Sequence, residues 1–297
     1  IFARDESMKA SPFAYFAPDT LQEALDLLGS LDNAKILAGG QSLMAMLNLR
    51  YAMPDQLVDI NGISDLAGIT EQGGRLSIGA MTRQRVLERD SLLFQKAPIF
   101  REALLQVGHI QTRNRGTIGG SLCHLDPAAE LPALAMLYDA TLIARSAKGE
   151  RALPMAEFPA FYMTPALEPD EILTRIDFDA WPQDSHFAFV EFSRRHGDFA
   201  IVAAGCLFSL SPSGTIERAA IVLGGVGAAP MRLTEAENSL IGQVPGRAAF
   251  EAAARAAQDI EAMEDSVYSA QYRCHLSEVM TRRALTKAWD RHQERAA

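Results

Sequence analysis

Cysteine is scarce in this sequence. Only Cys123, Cys206 and Cys274 occur in 297 residues, and no two form a CxxC pair. The chain alone therefore supplies neither a cysteine zinc site nor the ligands of an iron–sulfur cluster. An odd, scattered count suits a reducing cytoplasm, and each thiol reads as a buried or incidental small apolar residue. Cys123 is set apart only because it lies inside a Gly-rich motif. Also missing is any apolar run of the roughly 18–20 residues that a membrane span requires, and any charged-then-apolar secretory leader. Positive charge is in deficit, 28 Lys and Arg against 37 Asp and Glu, for a net charge of −9. That balance argues against a nucleic-acid backbone as partner. No Walker A motif and no GxGxxG fingerprint is present. No metal-ligand cluster and no nucleophile–base constellation stands out, so no catalytic residue and no metal ligand is assigned.

What remains is an ordinary globular composition, 48% hydrophobic and 22% charged, long enough for two domains and an ample core. Residues Ile1 to Ser7 show no periodicity ahead of Met8-Lys9 and are set aside as a tag remnant or disordered tail. Thr20-Leu21-Gln22-Glu23 is a capping box. It opens a helix with Leu21, Ala24, Leu25 and Leu28 at helical spacing, which Gly29 should stop. Strands are expected at 34–38, 57–60 and 76–80, a helix capped by Thr82 through Glu88, and another over 98–107. Pro127 to Leu137 reads as a helix with proline in its first turn. Segments 141–144 and 151–155 pair as a hairpin, and 172–178 is a further strand. After a linker near 179–185 come three strand candidates (187–192, 200–210, 216–223) and three helices (235–241, 248–263, 270–292). Strands followed by helices indicate an α+β arrangement rather than repeating βαβ units.

Two Gly-rich stretches carry the chemistry, Gly39-Gly40-Gln41-Ser42 and Gly116-Thr117-Ile118-Gly119-Gly120-Ser121. Glycine lets backbone approach an anion closely, and consecutive N–H groups can form a nest for phosphate oxygens without basic side chains. Two such loops could grip a pyrophosphate from two sides, with Ser42, Thr117 and Ser121 adding hydroxyl donors. A strand-end turn explains either Gly pair equally well when it is taken singly.

With their flanks, these stretches resemble a known family. Four ordered motifs carry the likeness: Leu37-Ala38-Gly39-Gly40-Gln41-Ser42-Leu43; Thr117 through Pro132; Arg194-Arg195-His196-Gly197-Asp198-Phe199-Ala200; and, in the last helix, Tyr272-Arg273, His275-Leu276 and Arg282-Arg283-Ala284-Leu285. Together they resemble the medium, flavin-carrying subunit of molybdenum hydroxylases of the carbon monoxide dehydrogenase and xanthine dehydrogenase kind, over about Met8 to the end.

The resemblance implies an α+β fold. A two-subdomain FAD-binding domain of the vanillyl-alcohol-oxidase type would span 8–180, in subdomains of about 8–60 and 61–180. A C-terminal domain of three antiparallel strands and a helix bundle would span 186–292. It implies FAD as the cofactor, with Ala38, Gly39, Gly40, Gln41, Ser42 and Leu43 on one side of the pyrophosphate. Thr117, Gly119, Gly120 and Ser121 would hold the other side. Glu130 would contact ribose or ribityl hydroxyls, with His124 and Asp126 as weaker candidates from the same loop. Ile172 or Leu173 would border the ring, and Phe199 would cover one flavin face. It further implies a cytoplasmic heterotrimer, usually doubled to a hexamer. A small subunit would carry [2Fe–2S] clusters and a large one the molybdopterin, and electrons would pass through FAD to an external acceptor.

Plainer readings stand beside these. Glu130 suits a helix first turn, His124 can bond the loop backbone, Phe199 can be core, Met44 and Met46 read as core packing, and the arginine pairs as surface or interface charge. Two departures from the family pattern matter: Phe199 where many relatives carry Tyr, and Glu191 near a position where many carry Lys. A carboxylate facing the ring would disfavour an anionic reduced flavin. Two other functions remain open: a self-sufficient flavin oxidoreductase with its own organic substrate, and an FAD-free regulatory or assembly protein.

Overall fold

A computed structural model describes residues 9–296, with side chains through 291; the expected tail at 1–7 lies outside the described residues. The first unit is a parallel sheet of β1 (Ala14–Phe16), β2 (Ala34–Leu37) and β3 (Gln56–Asp59), ordered β1-β3-β2. Helix α1 (Leu21–Ser30) crosses between β1 and β2. The capping box forms: Thr20 Oγ1 accepts from the Glu23 N–H, and the Glu23 carboxylate accepts from the N–H of Asp19 and Thr20. Thr20→Ala removes one of these caps and should lower stability by about 1 kcal/mol, read as a shift of the chemical-denaturation midpoint at unchanged slope. Gly29 does not stop the helix; it sits inside the last turn, and Leu31 is the C-cap. A short helix absent from the sequence reading, α2 (Leu43–Asn48), follows the first Gly pair. Met44 lies on its outer side, 39% exposed, rather than in a core.

The second unit is an antiparallel sheet ordered β4-β5-β10-β6-β7. It is built from β4 (Ile69–Gln72), β5 (Arg75–Gly79), β6 (Thr141–Ser146), β7 (Gly149–Pro154) and, after the small β8 (Pro159–Phe161) and β9 (Thr164–Pro165), β10 (Ile172–Asp179). Between β5 and β6 run six short helices: α3 (Gln84–Arg89), α4 (Ser91–Lys96), α5 (Ile99–Leu104), α6 (Ile110–Arg115), α7 (Ile118–His124) and α8 (Glu130–Leu137). Thr82 does not cap α3. Its buried hydroxyl instead accepts from the Gly68 N–H (2.9 Å) and donates to the Gly68 carbonyl (3.1 Å), closing the turn below β5. Pro127 precedes α8 rather than opening it, and Pro132 occupies the first turn.

The third unit is a sheet of β11 (His186–Phe192), β12 (Val202–Leu210), β13 (Ile216–Gly224) and a short fourth strand, β14 (Met231–Arg232). The sequence reading lacked this last strand because two residues carry no alternation. Helices α9 (Thr234–Leu240), α10 (Arg247–Ala254) and α11 (Ala270–Ala296) cover one face. Along β12, Val202, Ala204, Cys206 and Phe208 enter the core under these helices, while Ala203 and Leu207 enter the core shared with the second unit. Burial on both faces explains why β12 reads as one unbroken apolar run. Glu102 of α5 clamps the junction: its carboxylate accepts from the Phe189 N–H (3.0 Å), Lys287 Nζ (3.1 Å) and Arg291.

Candidate cofactor site

The two Gly-rich segments meet. A Cβ on Gly39 would strike the Arg115 carbonyl oxygen and come within 2.8 Å of Gly116 Cα, so the backbones touch where only hydrogen fits. A Cβ on Gly120 would lie 3.7 Å from that of Ala38. A polar bracket holds the junction. Asn61 Nδ2 donates to the Ala38 carbonyl (2.8 Å), Arg83 donates to Asn61 Oδ1 (2.6 Å), and Arg83 also donates to the Arg115 carbonyl. Asp59 anchors Asn61 by accepting from its N–H (2.9 Å) and side-chain amide, and it accepts from the Tyr15 hydroxyl. Burial works against that carboxylate, but the hydrogen bonds from Tyr15 and Asn61 outweigh it and hold its pKa below the usual value. Asp59, Asn61 and Arg83 were not found from sequence. The available signal was Asn61-Gly62 directly after a strand, a turn dipeptide whose use was not legible.

The two segments differ in what they offer a ligand. In the first, the N–H groups of Gly39, Gly40, Gln41, Ser42 and Leu43 make no hydrogen bond among the described residues. Gln41 Nε2 folds back to the Gly39 carbonyl (3.3 Å), and Ser42 Oγ caps nothing. Consecutive free N–H groups of this kind form an anion nest. In the second, the expected loop is helix α7, and the donors from Ile118 to Ser121 are engaged, while the N–H of its N-cap Thr117 makes no hydrogen bond among the described residues. Ile118 N donates to Thr82 O (3.1 Å), Gly119 N to Ala80 O (2.8 Å), Gly120 N to Thr117 Oγ1 (3.1 Å), and Ser121 N to Thr117 O (3.2 Å). Gly119 is glycine because its Cβ would sit 2.6 Å from the Ala80 Cβ. The second Gly pair thus permits close packing of α7 rather than presenting backbone donors. What this segment leaves free for a ligand, among the described residues, is the Thr117 N–H and the Ser121 hydroxyl.

Around this junction the other expected residues fall unevenly. Glu130 opens α8 with 9% exposure, and burial pushes its carboxyl up to about 8, reinforced by the nearby Glu191 and Asp126 charges. Glu191 lies on the β11 face that also carries Phe187 and Phe189 toward the second unit. Its Oε2 is buried without a partner, and burial pushes its carboxyl up to about 7. Arg113 is the cation that acts on Glu130, but it is engaged with Glu88 (2.9 Å) and the Val107 carbonyl (2.8 Å). Asp126 accepts from the Ala128 N–H (2.9 Å), a local turn bond. His124 is half-buried at the end of α7, and burial lowers its pKa against the pull of Asp126. Phe199 is 66% exposed on the β11–β12 loop, which is not an ordinary core position. That loop rests Gly197 on His109 and Gly108, and Arg273 secures its base through the Ile201 carbonyl (2.8 Å). Ile172 and Leu173 open β10 beside the site with their side chains turned inward. They alternate into two separate cores, with 1% and 4% exposure. Burial pushes the thiols of Cys123 and Cys206 up to about 12, which disfavours their thiolate forms. Among the described residues no three His, Cys, Asp or Glu side chains gather as a metal site, and no helix is long and apolar enough to cross a membrane.

Comparison with known proteins places the chain in a family. Residues 11–181 match the family of the FAD binding domain in molybdopterin dehydrogenase, and residues 187–288 match the CO dehydrogenase flavoprotein C-terminal domain. The chain belongs to the FAD-binding medium subunits of the molybdenum-containing dehydrogenases. It is 41% identical to the 6-hydroxypseudooxynicotine dehydrogenase complex subunit alpha of Paenarthrobacter nicotinovorans, over 96% of this chain and 97% of that one. It is 38% identical to the carbon monoxide dehydrogenase medium chain of Hydrogenophaga pseudoflava, over 94% and 98%. A solved chain of the carbon monoxide dehydrogenase from Hydrogenophaga pseudoflava superposes with a TM-score of 0.92 at 36% identity, covering 96% of this chain and 99% of that one. The α+β architecture expected from the sequence is the one the chain adopts.

Proposed function

We propose that this subunit carries electrons: it takes them from the [2Fe–2S] clusters of a small partner subunit and delivers them through FAD to an external acceptor. Substrate is oxidised elsewhere, on a large molybdopterin subunit. The observation that carries the reading is the run of free N–H groups from Gly39 to Leu43, a preformed cradle for the charge of a dinucleotide pyrophosphate. FAD, when bound, supplies the one- and two-electron chemistry that no side chain here offers.

The chain's own residues bind and orient. Ala38 and the N–H groups of residues 39–43 hold the pyrophosphate against the α7 edge, where Thr117, Gly119, Gly120 and Ser121 set the backbone spacing. Glu130 accepts from sugar or ribityl hydroxyls, with His124 and Asp126 beside it. Phe199, exposed on its loop, covers one ring face and excludes water there, without a hydroxyl to bond the ring. Assembly with two other subunits, as a cytoplasmic dimer of heterotrimers, is part of this proposal. Relatives named as a complex subunit alpha and as a medium chain support the part of it that makes this chain one subunit of a larger complex.

The bracket gives an independent check on the site. Asn61→Ala frees the Ala38 carbonyl and removes one of the two acceptors of Arg83, leaving it the Arg115 carbonyl. FAD affinity of the deflavinated chain should fall about tenfold, about 1.4 kcal/mol, by fluorescence titration, with little change in secondary structure. The decisive experiment on function is the visible spectrum of the isolated chain and of the co-purified complex during exposure to a substrate panel. Flavin colour bleached only when the partners are present supports electron transfer. Bleaching of the isolated chain by an organic substrate makes it a self-sufficient oxidoreductase. Failure to take up FAD on reconstitution overturns the reading.

A further inference from the structure

The motif Arg282-Arg283-Ala284-Leu285 has no part in the cofactor site. Ala284 and Leu285 are fully buried under the C-terminal sheet, while the two arginines face outward into a cleft of about 900 Å³ between α10, α11 and β11. Five cations line it: Arg247, Arg282, Arg283, Lys287 and Arg291. The acids on the same lining are Glu251 and Asp290, which leaves an excess of three positive charges on a chain whose net charge is −9. Arg247 bridges Glu251 (2.8 Å), and Lys287 and Arg291 turn toward Glu102 at the unit junction. Arg282 has no salt bridge among the described residues, and Arg283 reaches only the Met280 sulfur, at 3.9 Å. The floor is apolar, formed by Val190, Phe250 and Trp289. It lies on the opposite face of β11 from Glu191, because side chains alternate along a strand.

We propose that this cleft is the docking site for an acidic segment of a partner subunit, with carboxylates on Arg282 and Arg283 and an apolar side chain on the Phe250–Trp289 floor. The inference rests on the reading that the chain works within a complex, and it adds where one partner is held. The two arginines without a salt bridge are neighbours on α11 and lie beside an apolar floor, a pairing matched by a polypeptide that carries carboxylates next to an apolar side chain rather than by one small anion. An acidic chain repels other acidic surfaces in general, so a local basic cleft also steers such a segment to one place and fixes its register.

The test co-expresses the full chain with its partner subunits and compares wild type with Arg282→Glu/Arg283→Glu. The milder Arg282→Gln/Arg283→Gln and a distant reversal, Arg89→Glu, serve as controls. The reversal should weaken association about a hundredfold, the glutamine pair less, and Arg89→Glu not at all. The wild-type complex should loosen as salt rises. Flavin absorbance and melting temperature of each isolated chain should match wild type, which separates lost docking from lost folding. Partners retained by the charge reversal with unchanged affinity and salt response overturn the inference while leaving the electron-transfer reading intact. So does cleft occupancy by inorganic phosphate with partner association unaffected. A wild-type chain that binds FAD but no partner overturns both the docking site and the complex.

Discussion

Gly39→Ala should fold and bind FAD about a hundredfold more weakly than wild type. The added methyl would be driven into the Arg115 carbonyl oxygen and toward Gly116 Cα, which are backbone atoms fixed by the Arg83 bond and by the start of α7. Neither can rotate away as a side chain would, so the two segments must part. Overpacking of this kind costs about 1–3 kcal/mol, and the displacement also misaligns the free N–H groups that follow Gly39. Together about 3 kcal/mol, or two powers of ten in affinity, is expected. Titration of the deflavinated chain with FAD measures it directly. Gly29→Ala is the matched control: nothing lies within 4 Å of its added methyl, and it sits inside α1. That variant should gain about 1 kcal/mol of stability with FAD affinity unchanged. Equal affinity in Gly39→Ala and wild type would remove the nest from the cofactor site.

Legibility in the sequence followed the range of the interaction. The Thr20 capping box was readable because all its partners lie within four residues. The long strands β10 and β12 were readable because burial on both faces leaves a plain apolar run. The family motifs located the junction of the two Gly-rich segments. What the sequence could not assign was which N–H groups remain free there. Gly119 and Gly120 look like nest residues, but their donors are engaged by Ala80 and Thr117, and the Ala80 contact spans the distance from β5 to α7. The apolar pair Ile172 and Leu173 serves two separate cores, one residue to each, a division that an unbroken apolar run does not reveal. Asn61 acts through the carbonyl of Ala38, a partner with no side-chain signature. Short α2 failed to register because six residues give less than two turns of periodicity.

Glu130→Gln should stabilise the flavin-free chain at alkaline pH and flatten its pH dependence. In the folded chain, burial holds the Glu130 carboxyl near 8, aided by Glu191 and Asp126, while in the unfolded chain it titrates near the ordinary carboxylate value. Between those limits the folded state binds the extra proton, so stability falls as pH rises and levels off above about 8. Other groups are confined to other ranges. Glu88, Glu171 and Asp59, whose pKa values are lowered by their hydrogen-bonded partners despite burial, contribute stability that is lost only in acid, below the ordinary carboxylate range. His124, kept neutral by burial, destabilises as pH falls below about 6.5. From pH 6.5 to 8, therefore, Glu130 dominates, with Glu191 ionising near 7 and adding to the same slope. One and a half units of pH at about 1.4 kcal/mol per unit gives a loss of about 2 kcal/mol in wild type. Glutamine keeps the shape of the neutral acid and cannot ionise, so most of that loss should vanish. Urea denaturation at the two pH values, at matched ionic strength, reads it out. A parallel fall in wild type and Glu130→Gln would show that Glu130 is ionised and solvated in the folded chain. It would then face the cofactor as a carboxylate already at neutral pH, rather than as an acid that yields its proton when a sugar hydroxyl donates to it.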